Sequence, residues 1–145
     1  MGQGYGYKCI CGYEGEILFG AGFRYPSQSA ETLKDMVAGK YGKKRAALTK
    51  SGNVVVDARY DYYRCQCGYG NSYMNLDLYS SDCDDIFRPY GEAEKKYKLI
   101  MKFNHRCPKC RRIMKRIGEE VFDTKGVLCP KCGNKQLFFY NTLWD

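Results

Sequence analysis

Eight of the nine cysteines lie in four closely spaced pairs. Cys107 and Cys110 enclose Pro-Lys, Cys129 and Cys132 enclose the same dipeptide, and eighteen residues separate the two pairs. Two C-x2-C pairs at such a distance allow two tight turns to direct four sulfurs at one tetrahedral ion. These four cysteines predict a zinc site, here called site 2. Iron accepts the same four thiolates and is the alternative metal there.

The other two pairs lie within a repeated heptapeptide of the form Y-[K/R]-C-x-C-G-Y, which runs from Tyr7 to Tyr13 and from Tyr63 to Tyr69. In the first copy Gly12 occupies a turn position that requires a positive φ. The repeat predicts a second zinc ion, at site 1. Its ligands would be Cys9, Cys11, Cys65 and Cys67.

Loop closure favours this grouping over a nested one. Joining Cys11 to Cys65 and Cys110 to Cys129 closes loops of 53 and 18 residues, whereas nesting the pairs closes loops of 39 and 117. At about (3/2)RT ln n per loop, the difference is roughly 1.4 kcal/mol. The matched motifs point the same way, so we expect one site for each motif type.

Composition restricts the class of protein. The ninth cysteine, Cys83, makes the count odd, and the short paired spacings favour metal in a reducing cytoplasm over a secreted disulfide framework. No apolar run reaches the roughly 20 residues that span a bilayer, so we expect a soluble protein. The formal charge of +8 falls to about +4 if two four-thiolate zinc sites form.

The predicted fold class is mainly β, a small α+β protein made of two zinc-bearing lobes of antiparallel strands. Residues 1–79 form the first lobe, with a helical insertion at about 27–50 that includes a helix over 30–38. Alternating apolar residues predict one strand over 54–64 and a partner over 73–79. An acidic linker over 80–94 leads to the second lobe, 95–145, with three strands over 97–107, 111–117 and 135–143.

The segment from Tyr97 to Leu143 resembles a zinc ribbon, the rubredoxin-like hairpin with two C-P-x-C knuckles, and residues 1–79 resemble a diverged ribbon. This resemblance implies the fold and the metal. It leaves function open, because similar ribbons occur in transcription factors, polymerase subunits, ribosomal proteins, adaptors and small bacterial proteins.

A non-enzymatic protein-interaction module, an adaptor or inhibitor of a larger complex, is the leading functional hypothesis. Fourteen tyrosines and seven phenylalanines exceed what two small lobes need for their interiors, and tyrosine is well suited to interfaces. The predicted contact loop carries Phe23, Arg24 and Tyr25. The partner's identity and the oligomeric state are left open by the sequence.

Nucleic-acid binding is the alternative. Ten lysines and arginines and no carboxylate lie between Lys95 and Arg116, and six more cations lie between Lys34 and Lys50. Such stretches could follow a phosphate backbone. The candidate contacts are Lys43, Lys44, Arg45, Lys102, Lys109, Arg111, Arg112, Lys115 and Arg116.

Catalysis and electron transfer are the third possibility. Four-cysteine sites are closed to substrate, and the sequence has no H-E-x-x-H motif and no dinucleotide fingerprint. We therefore expect no enzyme, and a rubredoxin-like carrier only if iron is bound. The single histidine, His105, could substitute as a ligand, but a surface or strand role is the simpler interpretation.

Overall fold

A computed structural model of the chain describes residues 2–22, 24–80, 93–117, 127–135 and 137–144. These residues form a mainly β, small α+β fold, as predicted, with three antiparallel sheets of three strands each. The elements in chain order are β1 (Gly2–Cys9), β2 (Glu14–Phe19), α1 (Tyr25–Val37), α2 (Lys43–Lys50), β3 (Val54–Val56), β4 (Tyr60–Arg64), β5 (Gly70–Met74), β6 (Leu78–Ser80), α3 (Ala93–Lys96), β7 (Leu99–Met101), β8 (Lys115–Arg116) and β9 (Leu137–Trp144). No helix within these ranges has the length and apolarity needed to cross a bilayer.

The chain forms two compact units that do not coincide with the predicted halves 1–79 and 95–145. Unit 1 comprises 1–22, 60–74 and 104–145, and unit 2 comprises 23–59 and 75–103. The predicted linker over 80–94 lies mostly outside the described residues. Its end, from Ala93 to Glu94, opens helix α3.

Unit 1 contains two of the sheets, with strand orders β2-β1-β9 and β5-β4-β8. A cluster around Tyr7, Ile17, Phe19, Tyr62 and Val127 forms its larger core. The alternation of side chains along β1 and β2 directs Tyr7, Ile17 and Phe19 inward.

Unit 2 contains helices α1 to α3 and the sheet β3-β6-β7. Met36 of α1 and Leu78 of β6 are completely buried, and Val55 of β3 is nearly so. The predicted helical insertion is confirmed. Helix α1 begins earlier than expected, at Tyr25, because Pro26 suits a first turn.

The strand predicted over 54–64 is two strands. Arg59 donates its backbone N–H to the carbonyl oxygen of Asp57, and this local turn separates β3 from β4. Strand β3 pairs with β6, whereas β4 pairs with β5 and β8. The sequence alternation continued through the turn and concealed it.

The predicted three-stranded ribbon of the C-terminal half is also wrong. Strand β9 pairs with β1, and β8 pairs with β4, so the late strands complete sheets that begin earlier in the chain. The predicted end strand itself is confirmed as β9, over Leu137–Trp144.

Candidate metal centres

The first candidate centre lies in a substructure that we call ribbon A. It consists of the hairpin β1-β2, the C-P-K-C turn at 129–132 and strand β9, which pairs with β1 along eight residue pairs. The hairpin ends in the C-x-C turn of Cys9 and Cys11. Because Cys9 lies opposite Leu137, the start of β9 brings the second turn close to the first.

Ribbon A collects four cysteine sulfurs within 4.8 Å of one another, a group that we call tetrad A. The Sγ atoms of Cys9 and Cys132 are 3.6 Å apart, as are those of Cys11 and Cys129. These separations far exceed a disulfide bond of about 2.05 Å. The four cysteines of tetrad A are therefore thiols arranged around a common point.

Ribbon B repeats this design with the hairpin β4-β5, the C-P-K-C turn at 107–110 and strand β8, which pairs with β4. Its sulfurs form tetrad B, again within 4.8 Å. The closest Sγ pairs are Cys65 with Cys110 at 3.3 Å and Cys67 with Cys107 at 3.6 Å. Both tetrads lie in unit 1.

The predicted division of the eight cysteines into sites 1 and 2 is corrected by these groups. Each tetrad combines one C-x-C turn with one C-P-K-C turn, so Cys9 and Cys11 join the 129–132 turn and Cys65 and Cys67 join the 107–110 turn. This is the nested arrangement, which loop entropy disfavours by roughly 1.4 kcal/mol. Strand pairing reverses the preference, because five of the eight residue pairs between β1 and β9 have side chains on both strands, and such cross-strand pairs contribute about 0.2–1 kcal/mol each.

Corresponding turns in the two ribbons have the same backbone hydrogen bonds. Cys9 N–H donates to Tyr13 O and Cys65 N–H donates to Tyr69 O, and in each turn the glycine that follows has a positive φ, 82° at Gly12 and 90° at Gly68. The repeated heptapeptide therefore encodes one conformation used twice, and the expected positive φ at Gly12 is confirmed.

The C-P-K-C turns correspond in the same way. Cys107 N–H donates to Arg112 O, and Cys129 N–H donates to Asn134 O. The residue after the second cysteine has a positive φ in both turns, 63° at Arg111 and 73° at Gly133. Arginine in this left-handed conformation is strained, whereas glycine is not.

The first cysteine of each C-P-K-C turn has a lowered pKa. Burial opposes ionisation of Cys107, but backbone N–H groups of Cys110 and Lys109 donate to its sulfur and lower its pKa to about 7. Cys129 is buried likewise, and N–H groups of Cys132 and Lys131 lower its pKa to about 6.

The first cysteine of each C-x-C turn behaves in the opposite way. The N–H of Cys11 favours the Cys9 thiolate, but burial and hydrogen bonds to the other thiols outweigh it and raise the pKa to about 12. The N–H of Cys67 likewise favours the Cys65 thiolate, but burial and hydrogen bonds to the other thiols outweigh it and raise the pKa of Cys65 to about 12. With these raised pKa values the two thiols are protonated at neutral pH, and their binding to a metal ion as thiolates would release protons.

Both tetrads fit a metal ion. A tetrahedral ion with metal–sulfur bonds of about 2.3 Å requires sulfurs about 3.8 Å apart, and the observed closest separations are 3.3 to 3.6 Å. Donor type, number and spacing all agree with a closed four-thiolate centre. A centre of this kind holds the peptide segments together and leaves no open ligand position.

The predicted nucleic-acid contacts divide between surface and interior. Arg45 is 4% exposed, and its guanidinium donates to the carbonyl oxygens of Leu76 and Lys102 at 2.6 and 3.3 Å. It is therefore a structural residue, and its proposed contact role is wrong. The exposed candidates are Lys43, Lys44, Lys102, Lys109, Arg111, Arg112, Lys115 and Arg116.

Two exposed cations in ribbon B already have partners. The ammonium group of Lys109 donates to the carbonyl oxygen of Pro130 and lies 5.6 Å from the centre of the Tyr69 ring. Arg116 lies 3.6 Å from the carboxylate of Asp61. Both residues contribute to the structure of unit 1.

His105 is not a ligand in either tetrad. Its Nε2 lies 3.0 Å from the carbonyl oxygen of Met74, and its ring stacks on Tyr73 with centroids 5.0 Å apart. The simpler interpretation of His105 is thus supported. Cys83 and the predicted contact residue Phe23 lie outside the described residues, while Arg24 is exposed at the start of α1 and Tyr25 is its first residue.

Ribbon A has an exposed apolar surface that was not predicted from the sequence. Ile10 and Phe138 are each 69% exposed, Phe139 is 43% exposed and Tyr140 is 46% exposed. We call Ile10, Phe138, Phe139 and Tyr140 the apolar edge. The run Leu-Phe-Phe-Tyr was visible in the sequence, but only the position of β9 at a sheet edge reveals its exposure.

Comparisons with protein-family models, with curated proteins and with solved structures found no match for this chain. The internal correspondence of ribbons A and B is therefore the comparison that informs function.

Proposed function

We propose that this chain is a zinc-stabilised, non-enzymatic protein-interaction module and that it binds its partner along strand β9. The observation that carries the proposal is an uncharged edge strand with three consecutive exposed aromatic residues, Phe138, Phe139 and Tyr140. The two tetrads give the module its stability, and the apolar edge gives it a surface for recognition.

Zinc is the metal that best matches the donor sets. Each tetrad consists of four cysteine sulfurs, the usual ligands of structural zinc, and the C-P-K-C turns supply N–H donors to thiolates. Structural zinc contributes on the order of 10 kcal/mol to folding in small domains. Iron would colour the purified protein, so a colourless protein with two equivalents of zinc supports this part of the proposal.

A non-enzymatic role agrees with the closed donor sets. A hydrolytic zinc site keeps one position open for water, and four protein thiolates occupy every position of a tetrahedral ion. The imidazole of His105 is engaged with the Met74 backbone and two tyrosine rings. Neither tetrad therefore has a histidine placed to act with it as a general base.

Strand β9 lacks the features that protect edge strands. Natural edges carry charges, proline or short strands, which discourage pairing with another chain. Strand β9 has eight residues, Leu-Phe-Phe-Tyr-Asn-Thr-Leu-Trp, with no charge and no proline. Within the described part of the chain, no strand pairs with its outer edge.

The partner that fits this edge is a protein segment in extended conformation. Such a segment would add a fourth strand to the β2-β1-β9 sheet through backbone hydrogen bonds. Its alternate side chains would be apolar, because the rings of Phe138 and Tyr140 lie on one face of β9. A second copy of this chain is the competing occupant.

The test compares the wild-type chain with a Phe138→Lys variant in affinity purification from the native host. Lysine at an edge discourages strand addition, so we expect the variant to lose a stoichiometric partner that the wild type retains. Ile113→Lys is the matched control, because Ile113 is 51% exposed in ribbon B. Metal content should be the same in all three proteins.

Hydrogen exchange on the recovered complex locates the contact. We expect backbone amides of β9 to exchange more slowly in the complex than in the free chain. Unchanged exchange in β9, or a partner retained by Phe138→Lys, would contradict the proposed surface. A homodimer of the pure chain with protected β9 amides would identify the occupant as a second copy.

A further inference from the structure

Ribbons A and B share a backbone design but present different side chains at the same place. In ribbon A, Lys8 lies between Glu14 on β2 and Phe138 on β9. The ammonium group of Lys8 is 2.8 Å from the carboxylate of Glu14. Across these three strands of ribbon A, the charge of Lys8 is therefore balanced by the carboxylate of Glu14 on one side, and an aromatic ring lies on the other side.

The corresponding row of ribbon B concentrates positive charge. Arg64 takes the place of Lys8, Gly70 takes the place of Glu14, and Lys115 takes the place of Phe138. Arg64 and Lys115 are thus direct cross-strand neighbours. Like charges in this position repel each other, and an anion bound beside them would reduce that repulsion.

The C-P-K-C turn of ribbon B extends this charge. Arg111 and Arg112 are both exposed, and within the described residues no carboxylate pairs with either of them or with Lys115. Arg106 lies beside them, donating from its guanidinium to the carbonyl oxygen of Arg111. We call Arg64, Arg106, Arg111, Arg112 and Lys115 the basic row.

Neutralisation of the metal centre does not explain the basic row. Tetrads A and B each contain four cysteine thiols, so the two would bear the same charge with metal bound. Yet ribbon A has Gly133 and Asn134 where ribbon B has Arg111 and Arg112. A four-thiolate centre in this design thus forms without these cations.

We infer that the basic row is a binding surface for the phosphate backbone of a nucleic acid. Four of its cations, Arg106, Arg111, Arg112 and Lys115, are exposed, and they lie around the C-P-K-C turn and at the start of β8. This extended arrangement follows successive phosphates better than it encloses one small anion. The inference concerns ribbon B alone, and it is independent of the partner proposed for the apolar edge of ribbon A.

The test measures binding of the metal-loaded full chain to fluorescein-labelled single-stranded DNA of mixed sequence by anisotropy over a range of salt concentrations. Each phosphate contact contributes about 0.7 to the slope of log K against log salt. The triple variant Arg111→Gln, Arg112→Gln and Lys115→Gln should therefore reduce that slope by about 2. It should also weaken binding at every salt concentration.

A matched triple variant controls for net charge. Lys50→Gln, Lys131→Gln and Lys135→Gln remove the same charge from exposed positions that belong neither to the basic row nor to the candidate contacts. The slope for this variant should equal that of the wild type. If the first triple loses metal, Lys115→Gln alone keeps the test valid, with an expected slope reduction of about 0.7.

Three results would overturn the inference. The first is no binding by the wild type at low salt, and the second is an equal reduction of slope in both triple variants. The third is competition by poly-glutamate as strong as that by unlabelled DNA of equal charge, which would point to an acidic protein as the ligand instead.

Discussion

The ammonium group of Lys109 lies 2.8 Å from the carbonyl oxygen of Pro130, so a side chain from the C-P-K-C turn of ribbon B contacts the backbone of the same turn in ribbon A. The two cysteine tetrads thus have a direct link within unit 1. The lysine also lies over the ring of Tyr69, in the C-x-C turn of ribbon B. Metal binding at one centre should therefore stabilise the other.

Replacing Lys109 with methionine tests this link. Methionine keeps an apolar stem of similar length and removes the donor, so we expect a loss of about 1 kcal/mol in the unfolding free energy of the metal-loaded protein. Removal of metal by a chelator should also become less cooperative. Lys131→Met is the control, because Lys131 is the exposed counterpart of Lys109 in ribbon A. Equal effects from both variants would refute the coupling.

The positive φ values at Arg111 and Gly133 predict opposite effects of substitution. Arg111→Gly should stabilise the protein by about 1 kcal/mol, since a non-glycine residue at φ 63° is strained. Gly133→Ala should destabilise it by a similar amount, because φ there is 73°. Urea midpoints of the metal-loaded variants measure both. A destabilising Arg111→Gly would show that the arginine side chain contributes more than its strained backbone costs.

Replacing the buried Arg45 in unit 2 should strongly lower the unfolding free energy. Arg45→Met leaves the carbonyl oxygens of Leu76 and Lys102 without their donor, which should cost about 2–3 kcal/mol. Lys44→Met, at the exposed neighbouring position of α2, should change stability by less than about 0.5 kcal/mol. Denaturation of each variant gives both numbers, and similar small losses would show that Arg45 is dispensable for folding.

Tyr62 predicts a loss of stability at alkaline pH. Burial is the main cause that raises its pKa to about 12, with a smaller opposing effect of Arg64. Because the folded state favours the neutral phenol, this contribution is complete below the ordinary tyrosine pKa of about 10 and disappears as pH rises toward 12. Tyr62→Phe should lose less stability than the wild type over that interval. If the unfolding free energies of the two proteins fall equally with pH, the alkaline loss of stability does not come from Tyr62.

Local features of this chain were readable from the sequence because short-range rules determine them. Eight cysteine positions, the turn at Gly12, the helical insertion and the last strand were all predicted correctly. Each depends on a few consecutive residues. The spacing of a C-x-C or C-P-K-C turn is enough to point two sulfurs in one direction.

The pairing of strands that lie far apart in the chain could not be predicted from the sequence. The partners of Cys9 and Cys11 depend on the pairing of β1 with β9, whose residues lie more than a hundred positions apart. The sequence contained the competing motifs but no measure of their strand interactions. Loop entropy alone favoured the wrong group of four cysteines. Its preference of roughly 1.4 kcal/mol is smaller than the contribution of the strand pairing between β1 and β9, so the observed grouping forms instead.

The metal content of paired cysteine variants tests the nested grouping most directly. Cys11 and Cys129 share tetrad A, whereas Cys65 belongs to tetrad B. The double variant Cys11→Ser with Cys129→Ser should therefore lose one equivalent of metal and retain the other, and Cys11→Ser with Cys65→Ser should lose both. The reverse result, one equivalent lost in the Cys11 and Cys65 pair and two in the Cys11 and Cys129 pair, would contradict the arrangement of ribbons A and B.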